Sequence, residues 1–381
     1  MNFDILEISK EARLEKEKNN KVIDATLGVL KDDNNKLLTS KIVRSIITNL
    51  DDASLFDYSN IDGGKTYKER VLSFIFKNNY SNFLENYNYS LCATPGAGAA
   101  LYLLLQREEL KNVILGTPYW SNYQSIITRA DKNIISYPYF DDNSNLNLLS
   151  LETILKENPN SILLINDPCH NPTGYSLTEK DYTNLFNLIN KYSKITLVLD
   201  LAYFSFGQEE KKFYDFLHLL NNRIYLCFSG SKIFSAYGLR IGALIYLEKK
   251  TLVPKVLPEI EPIARSIWGS SPIIGISLVN SFTGNNLLLF EKDLAERVEI
   301  LKKRSNIFRN EAALNNLDIY PYKDGFFSSI KVDNPVLIYQ KLIKKNIFVI
   351  PQESSLRISI SNIETYNIYG LAKKIKDTID E

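Results

Sequence analysis

Residues 195–232 begin with ITLVLDLAYF (195–204) and end with RIYLCFSGSK (223–232), two short apolar runs that each give way to polar residues. Similar runs, bounded by Gly, Pro, Asp or Asn, recur through the middle of the chain: NVILGTP near 112, SILLINDP near 161 and IGALIYL near 241. Charged, helix-compatible stretches lie between them, such as SLTEKDYTNLFNLINKY from Ser176. Buried parallel strands joined by helices have this alternation. The pattern therefore predicts an α/β fold around a largely parallel sheet.

The C-terminal part of the chain has a different character. A long amphipathic stretch, LLLFEKDLAERVEILKKRSNIFRNEAALNNL (287–317), is followed by short strand-like pieces. A helix-like segment, ETYNIYGLAKKIKDTIDE (364–381), comes last. We expect a separate α+β lobe here.

Composition limits the classes of partner. The 381 residues include 45 Lys and Arg against 44 Asp and Glu, a net charge of +1. This balance provides no electrostatic attraction to nucleic acid or to an anionic membrane. With 45% hydrophobic residues the chain is able to bury a sizeable core. Small molecules or a second copy of the chain are the expected partners.

The cysteines and the N-terminal sequence indicate a cellular compartment. Cys92, Cys169 and Cys227 are widely separated and have no CxxC spacing, which argues against a disulfide framework or a metal-binding cluster. The first residues, MNFDILEISKEARLEKEKNNK, are charged throughout and lack the apolar stretch of a signal peptide. No run approaches the ~20 apolar residues of a membrane span. These features predict a soluble, cytoplasmic protein.

Polar residues follow the apolar runs at the points where strands are expected to end. Asn171 follows the run at 162–165, Asp200 ends LVLD, and Lys232 ends the run at 223–232. In an open parallel sheet, ligands bind at the carboxyl ends of the strands. The amine of Lys232 could form an imine with a phosphorylated aldehyde, while the nearby hydroxyls and Arg240 hold its phosphate. The chain is therefore expected to be an enzyme.

Four strings in this order carry a resemblance to a known family: HNPTG at 170, DLAY at 200, SGSK at 229 and GLRIG at 238. The set resembles the fold-type I, class I pyridoxal-phosphate aminotransferases, and its pattern is most similar to the aspartate and aromatic aminotransferases. The resemblance extends from LGVLKDDNNK near 27 to LRISIS near 356. It implies a large domain with a mostly parallel, seven-stranded-type sheet between helices, and a smaller α+β domain. The implied division is an N-terminal segment joining the small domain (1–45), a large cofactor-binding domain (46–288) and a C-terminal small domain (289–381).

The resemblance implies roles for the strand-end residues toward pyridoxal 5'-phosphate. Lys232 would form the imine and move the substrate's α-proton, and Asp200 would pair with the protonated pyridine nitrogen. Tyr203 and Asn171 would hydrogen-bond the phenolic oxygen, with Asn171 also near the substrate. Taken singly, Asn171 could instead stabilise a turn and Tyr203 could pack at the edge of the core.

Further residues match the family's phosphate and ring contacts. Ser229 and Arg240 match the phosphate clamp, although a serine in this place could simply cap the strand end. Backbone N–H groups of Gly96 and Ala97 would point at the phosphate from the start of a helix. Trp120 matches an aromatic ring stacked on the cofactor, with a plain core role as its alternative.

Substrate recognition is assigned in the same way. Arg357 matches the arginine that binds the α-carboxylate through a bidentate pair, and Gly28 matches a loop glycine near the same group. Arg265 matches, without a gap, the arginine that binds a distal carboxylate. A shift of one residue would place Ser266 there and remove any preference for dicarboxylates. Phe327 would line the substrate entrance or pack the small lobe.

Tyr58 matches a tyrosine that reaches the cofactor phosphate of a neighbouring subunit, which would make the enzyme an obligate homodimer with shared active sites. A surface tyrosine in a turn is the alternative.

The implied activity is ping-pong transamination from aspartate, glutamate or an aromatic amino acid to a 2-oxo acid, with 2-oxoglutarate as acceptor. A C–S lyase or decarboxylase is the first alternative, because the same cofactor supports those reactions. A non-catalytic, ligand-sensing domain is the second. It is disfavoured because no basic helix-turn-helix region precedes residue 24.

Overall fold

The structure is a computed structural model that describes residues 5–250 and 260–381. The strands are β1 Ile23–Asp24, β2 Tyr87–Thr94, β3 Asn112–Thr117, β4 Asn133–Pro138, β5 Ile162–Asn166, β6 Thr196–Asp200, β7 Arg223–Ser229, β8 Gly242–Lys249, β9 Phe327–Lys331, β10 Ile347–Phe348, β11 Ile350–Pro351 and β12 Ser355–Ser359. The helices are α1 Ile5–Lys18, α2 Lys41–Thr48, α3 Asp52–Phe56, α4 Gly64–Phe76, α5 Tyr80–Asn86, α6 Ala97–Arg107, α7 Asn122–Arg129, α8 Leu148–Glu157, α9 Glu179–Asn190, α10 Phe213–Phe216, α11 Gly230–Ile233, α12 Glu261–Trp268, α13 Ile273–Asn280, α14 Gly284–Leu314, α15 Pro335–Lys344, α16 Thr365–Ile368 and α17 Leu371–Asp380. Short 3₁₀ helices cover Lys77–Asn79, Phe204–Phe206, Leu217–Leu219, Tyr237–Leu239 and Ile360–Asn362.

A seven-stranded sheet forms the centre of the larger part, in the order β2-β8-β7-β6-β5-β3-β4. The pairs β7–β6, β6–β5, β5–β3 and β3–β4 are parallel, whereas β8 runs antiparallel to both of its neighbours. Every apolar run named from the sequence forms one of these strands. The predicted α/β fold with a mostly parallel sheet is confirmed.

Both faces of the sheet are buried, as continuous apolar runs require. On β6, Leu197 and Leu199 pack in the same cluster as Phe186 of α9, while Val198 packs on the opposite face with Leu104 of α6. This alternation follows from the two-residue period of a strand. Each fully buried leucine or valine contributes about 1.5–3 kcal/mol relative to an exposed one, so the register of the central strands is strongly specified.

The chain termini meet in a second, smaller region. β1 pairs in parallel with β10, Ile23 opposite Ile347, and β9, β12 and β11 form an antiparallel sheet. A separate apolar cluster surrounds these strands. The helix α14 joins the two parts, because Phe290 packs in the cluster of the large sheet and Phe308 in the smaller one. The predicted boundary at 288/289 falls inside this helix, and the division into domains stays a prediction.

The helices follow the sequence signals closely. Thr178 and Asp181 form a capping box at the start of α9. The long amphipathic stretch forms α14, and the final segment is divided into α16 and α17 at Gly370, whose φ is 76°. No single helix among the described residues has the length and apolarity of a membrane span. The pair α13 and α14 passes the same test only together, with a bend of 100° between them.

Candidate active site

The predicted site residues gather around a cavity of about 680 Å³ at the carboxyl ends of the central strands. Because β8 is antiparallel to its neighbours, its first residues lie at this same edge. The smaller region closes the cavity from the other side. The predicted residues that line it are Gly28, Ala97, Trp120, Asn171, Asp200, Tyr203, Ser229, Lys232, Arg240, Phe327 and Arg357.

Lys232 lies in a single helical turn, α11, that begins directly after β7. Its Nζ donates a hydrogen bond to the carbonyl oxygen of Gly28 and lies 5.6 Å from the centre of the Tyr203 ring. Burial, followed by the positive charges of Arg357 and Arg240, lowers the pKa of Lys232 to about 7. A large fraction of this amine is therefore neutral, and nucleophilic, at neutral pH.

Asp200 is a buried carboxylate whose partners are all neutral. Its Oδ2 accepts a hydrogen bond of 2.6 Å from the Tyr123 hydroxyl, and its Oδ1 accepts one of 3.0 Å from the backbone N–H of Ala202. Burial raises the pKa of Asp200 to about 6, and both hydrogen bonds oppose this rise. No lysine or arginine in the described ranges forms an ion pair with it. Asp200 is thus well placed to accept a cationic N–H from a ligand.

Arg357 lies in β12 and projects from the smaller region. Its Nη2 donates to the Thr26 carbonyl at 2.7 Å and its Nη1 to Asn171 Oδ1 at 3.3 Å, whereas its buried Nε has no hydrogen-bond partner. The guanidinium lies 4.4 Å from the centre of the Phe327 ring. Burial lowers the pKa of Arg357 to about 10, so it remains a cation at neutral pH. An unpaired buried guanidinium of this kind can bind a carboxylate.

A group of donors surrounds the start of α11. Arg240 Nη1 lies 3.3 Å from Ser231 Oγ, and Arg240 Nη2 donates to the Pro95 carbonyl at 3.2 Å. Ser229 Oγ accepts from the Ser231 backbone at 3.3 Å, so Ser229 caps this helical turn and also lines the cavity. Gly96 has a φ of 98°, and a Cβ there would lie 2.5 Å from Arg240 Nη2. Hydroxyls, guanidinium and the N-terminus of α6 together suit a phosphate dianion.

On the other side of the cavity, the Phe327 ring lies so close to the backbone at position 28 that this residue must be a glycine. A Cβ added to it would lie 2.4 Å from Phe327 Cζ. Only glycine fits this position without displacing the aromatic ring, and its carbonyl accepts from Lys232.

Trp120 lines the cavity in the loop that joins β3 to α7. Its ring meets the ring of Tyr123 edge-on, with 5.2 Å between centres. Because Trp120 also lines the cavity, a flat ligand could stack on its ring.

Three predicted residues do not line the cavity that the described residues form. Tyr58 is 92% exposed, and Arg265 is exposed in the last turn of α12. Gly96 does not line the cavity either and contacts it through Arg240. The proposed contacts of Tyr58 and Arg265 with substrate or cofactor stay predictions.

Some residues of the cavity did not emerge from the sequence: Tyr123, Asn166 and Tyr237. Asn166 joins two predicted residues, because its side chain donates to the Asp200 carbonyl at 2.9 Å and accepts from the Asn171 N–H at 2.7 Å. Asn166 is the last residue of β5, and its position at a strand end is the sequence signal that could have identified it. Tyr123 is three residues after Trp120, and only the fold shows that it reaches Asp200.

The chemistry of this donor set fits pyridoxal phosphate. The cavity offers a neutral amine for the aldehyde and an unpaired carboxylate for the ring nitrogen. Its hydroxyls and Arg240 suit the phosphate. Arg357 remains available for a substrate carboxylate.

Comparisons with known proteins agree with this chemistry. The family model described as aminotransferase class I and II matches residues 20–375. The aspartate aminotransferase of Salmonella typhi is 24% identical over 374 residues, covering 93% of this chain and 92% of the relative. The crystal structure of an aminotransferase from Anaerococcus prevotii superposes with a TM-score of 0.92 at 26% identity, covering 100% of this chain and 97% of that one. An aromatic-amino-acid aminotransferase from Burkholderia pseudomallei, covalently bound to pyridoxal phosphate, gives a TM-score of 0.84 at 20% identity, with 100% and 98% covered. The chain therefore belongs to the class I and II aminotransferase family and is a transaminase that uses pyridoxal 5'-phosphate.

Proposed function

We propose that this transaminase moves the amino group of aspartate, glutamate or an aromatic amino acid to a 2-oxo acid, with 2-oxoglutarate as an acceptor. One observation carries the proposal: a neutral amine, an unpaired carboxylate and an unpaired guanidinium face one cavity. They belong to Lys232, Asp200 and Arg357. Amino acids and 2-oxo acids share a carboxylate for the guanidinium, so one site serves both half-reactions in ping-pong order.

The proposed role of each residue follows from its charge and its hydrogen-bonding groups. Bound pyridoxal phosphate supplies an aldehyde carbon for Lys232 and a ring that withdraws electrons from the substrate's Cα. Asp200 holds the proton on the ring nitrogen, and Tyr203 and Asn171 hydrogen-bond the phenolic oxygen. With the cofactor bound, the amine of Lys232 would take the proton from the substrate's Cα and return it to the cofactor carbon that carries the aldehyde, a role that requires a pKa near neutrality.

The residues that would hold the cofactor phosphate are grouped around the start of α11. Ser229, Arg240 and the backbone N–H of Ala97, the first residue of α6, would provide its donors. The N–H of Gly96 instead donates to the Thr94 carbonyl at 2.7 Å. Trp120 stacks on the ring. Arg357 then orients the substrate by its α-carboxylate, close to Gly28 and Asn171.

A second copy of the chain would complete the site. Phe56, Tyr58 and Ile267 are 79%, 92% and 42% exposed. They belong to one surface, because Ser59 Oγ donates to the Ser271 carbonyl at 2.6 Å. Exposed apolar side chains that share one surface are typical of an interface. We propose a homodimer in which Tyr58 reaches the cofactor phosphate of the neighbouring subunit, and we propose Arg265 as the residue for the distal carboxylate of the substrate.

Two other predictions are retained as proposals. The division into residues 1–45, 46–288 and 289–381 is supported by the pairing of β1 with β10. A cytoplasmic location is proposed because Cys92, Cys169 and Cys227 are free thiols, as a reducing compartment would keep them.

A panel of amino acids tests the function directly. The purified holoenzyme is mixed with each amino acid in a stopped-flow instrument, and the cofactor absorbance is followed without a 2-oxo acid. Aspartate, glutamate or an aromatic amino acid is expected to convert the cofactor once per site, and 2-oxoglutarate is expected to restore it. Continuous release of pyruvate and ammonia without 2-oxo acid would identify a lyase, and carbon dioxide release a decarboxylase. Binding without conversion would identify a ligand sensor. The comparisons favour none of these three.

A further inference from the structure

We propose that Tyr123 is a positioning residue that keeps Asp200 ionised and aimed into the cavity. The inference rests on the proposed role of Asp200 toward the ring nitrogen of the cofactor. It is carried by the hydrogen bond of 2.6 Å from the Tyr123 hydroxyl to Asp200 Oδ2.

The protein holds the Tyr123 ring rigidly. Tyr123 is only 2% exposed and lies in the first turn of α7. Its backbone N–H donates to the Trp120 carbonyl at 2.9 Å, and the Trp120 and Tyr123 rings pack nearly perpendicular to each other with 5.2 Å between their centres. One short loop after β3 therefore fixes both the ring that faces the cofactor and the hydroxyl that reaches Asp200.

The other partners of Asp200 show why the Tyr123 hydroxyl matters for the charge of this carboxylate. The Ala202 N–H occupies Oδ1, and the Asn166 side chain contacts the Asp200 carbonyl rather than the carboxylate. The titratable groups that face Asp200 are Tyr123, Tyr203 and Cys227, and burial raises the pKa of all three, so they are neutral at physiological pH. Tyr123 supplies the side-chain hydrogen bond to the carboxylate.

This arrangement makes a specific prediction about charge. Burial favours the protonated, neutral form of Asp200, and the Tyr123 hydrogen bond favours the ionised form. Without the hydroxyl, the pKa of Asp200 moves upward toward neutrality. A protonated Asp200 cannot pair with a protonated ring nitrogen. Cofactor binding should then weaken on the acid side of neutrality, while at higher pH the ionised carboxylate binds as before.

The test measures binding of pyridoxamine 5'-phosphate to the apoprotein as a function of pH. This probe has no aldehyde, so it forms no covalent bond with Lys232. The measured affinity therefore does not depend on the reactivity of that amine. For Tyr123→Phe we expect the acid midpoint of binding to move up by about one pH unit, and affinity near pH 6 to fall about tenfold. Affinity near pH 8.5 should change little.

Tyr225→Phe is a matched control. Tyr225 packs in the same apolar cluster as Tyr123 and donates to the Glu108 carboxylate at 2.8 Å, but it does not line the cavity. It is expected to lose stability without any shift of the binding midpoint. Equal shifts in both variants, or no shift in Tyr123→Phe, would overturn the proposal.

A second substitution covers the case in which Tyr123→Phe does not fold. 3-Fluorotyrosine at position 123 keeps the ring and is a more acidic donor, so the midpoint should move downward. An unchanged or raised midpoint overturns the proposal. Because no amino acid is turned over, failure of the transamination proposal would appear in the substrate panel and not in this measurement.

Discussion

Arg357 Nη1 donates to Asn171 Oδ1 at 3.3 Å, which joins β12 of the smaller region to the loop after β5 of the large sheet. Both residues are buried. Since the Asn171 oxygen accepts from Arg357, its amide nitrogen is left for an oxygen of the ligand. The side chain proposed to recognise the substrate and the side chain proposed to contact the cofactor are therefore oriented by each other.

Arg357→Lys is predicted to weaken the binding of every amino acid and 2-oxo acid alike. An ammonium cannot form a bidentate pair with a carboxylate or keep the bond to Asn171. Loss of one charged hydrogen bond costs about 1.5–3 kcal/mol, which is about tenfold to a hundredfold in kcat/KM. Steady-state kinetics with aspartate, phenylalanine and 2-oxoglutarate measure this loss.

Arg297→Lys is the control for Arg357→Lys. Arg297 is also a buried arginine, but it forms an ion pair with Asp293 at 2.9 Å and does not line the cavity. It is expected to change stability and leave kcat/KM nearly constant. Equal kinetic losses in both variants would contradict the assignment of Arg357.

Lys232→Ala is predicted to abolish turnover, because no other amine lines the cavity among the described residues. Removal of a general base costs about 10²–10⁴-fold in rate, and loss of the covalent link adds to this. Single-turnover absorbance after addition of an amino acid measures the effect. Lys212→Ala is the control, since burial also lowers the pKa of Lys212 but its Nζ donates to the Gly207 carbonyl outside the cavity. A normal half-reaction in Lys232→Ala would reject the assigned role.

The capture of pyridoxal phosphate by the apoprotein is predicted to depend on pH near neutrality. Only a neutral amine attacks the aldehyde, and the pKa of Lys232 is lowered from 10.5 to about 7. The rate should therefore rise from pH 6 to pH 8 and level off above that. Borohydride reduction followed by mass spectrometry reports the adduct on Lys232 at each pH. A rate that keeps rising up to pH 10 would show that the pKa of Lys232 is not lowered.

The sequence predicted the interior of the large sheet better than its edges. The runs that form β3, β5, β6, β7 and β8 are continuously apolar because both faces of these strands are buried. The edge strands β2 and β4 were not recognised from YNYSLCAT and NIISYP. The first half of β2 and most of β4 are partly exposed, so they carry polar residues and lack the apolar signature.

In the site, too, the sequence revealed only the residues that have a local signal. Asp200 ends β6, Lys232 follows β7 and Asn171 lies in the loop after β5, so the ends of the strands reveal them. Tyr123 contacts Asp200 across 77 residues of chain, and a contact between two strand-end loops has no local signal. Arg265 and Tyr58 are exposed and do not line the cavity formed by the described residues, so one chain does not decide their partners.

Arg265→Leu is predicted to reduce turnover of aspartate and glutamate while leaving aromatic amino acids nearly unchanged. The distal carboxylate would lose a charged hydrogen bond, about 1.5–3 kcal/mol, whereas an aromatic ring makes no such bond. The ratio of kcat/KM for aspartate to that for phenylalanine is the readout. Arg129→Leu is the control, because Arg129 is likewise an exposed arginine in the last turn of a helix. Unchanged aspartate turnover in Arg265→Leu would favour the alternative register with Ser266.

Gly96→Ala is predicted to weaken both the fold and the grip on the cofactor phosphate. The φ of 98° is strained for alanine, and the added Cβ would lie 2.5 Å from Arg240 Nη2, so the guanidinium must move. We expect a loss of about 1–3 kcal/mol in stability and about tenfold in affinity for pyridoxal phosphate. Gly238→Ala is the control, because Gly238 lies two residues before Arg240 and a Cβ there meets nothing within 4 Å. Urea unfolding of the apoprotein and cofactor titration separate the two effects. If Gly96→Ala lost stability but bound the cofactor normally, Arg240 would not be the residue that holds the phosphate.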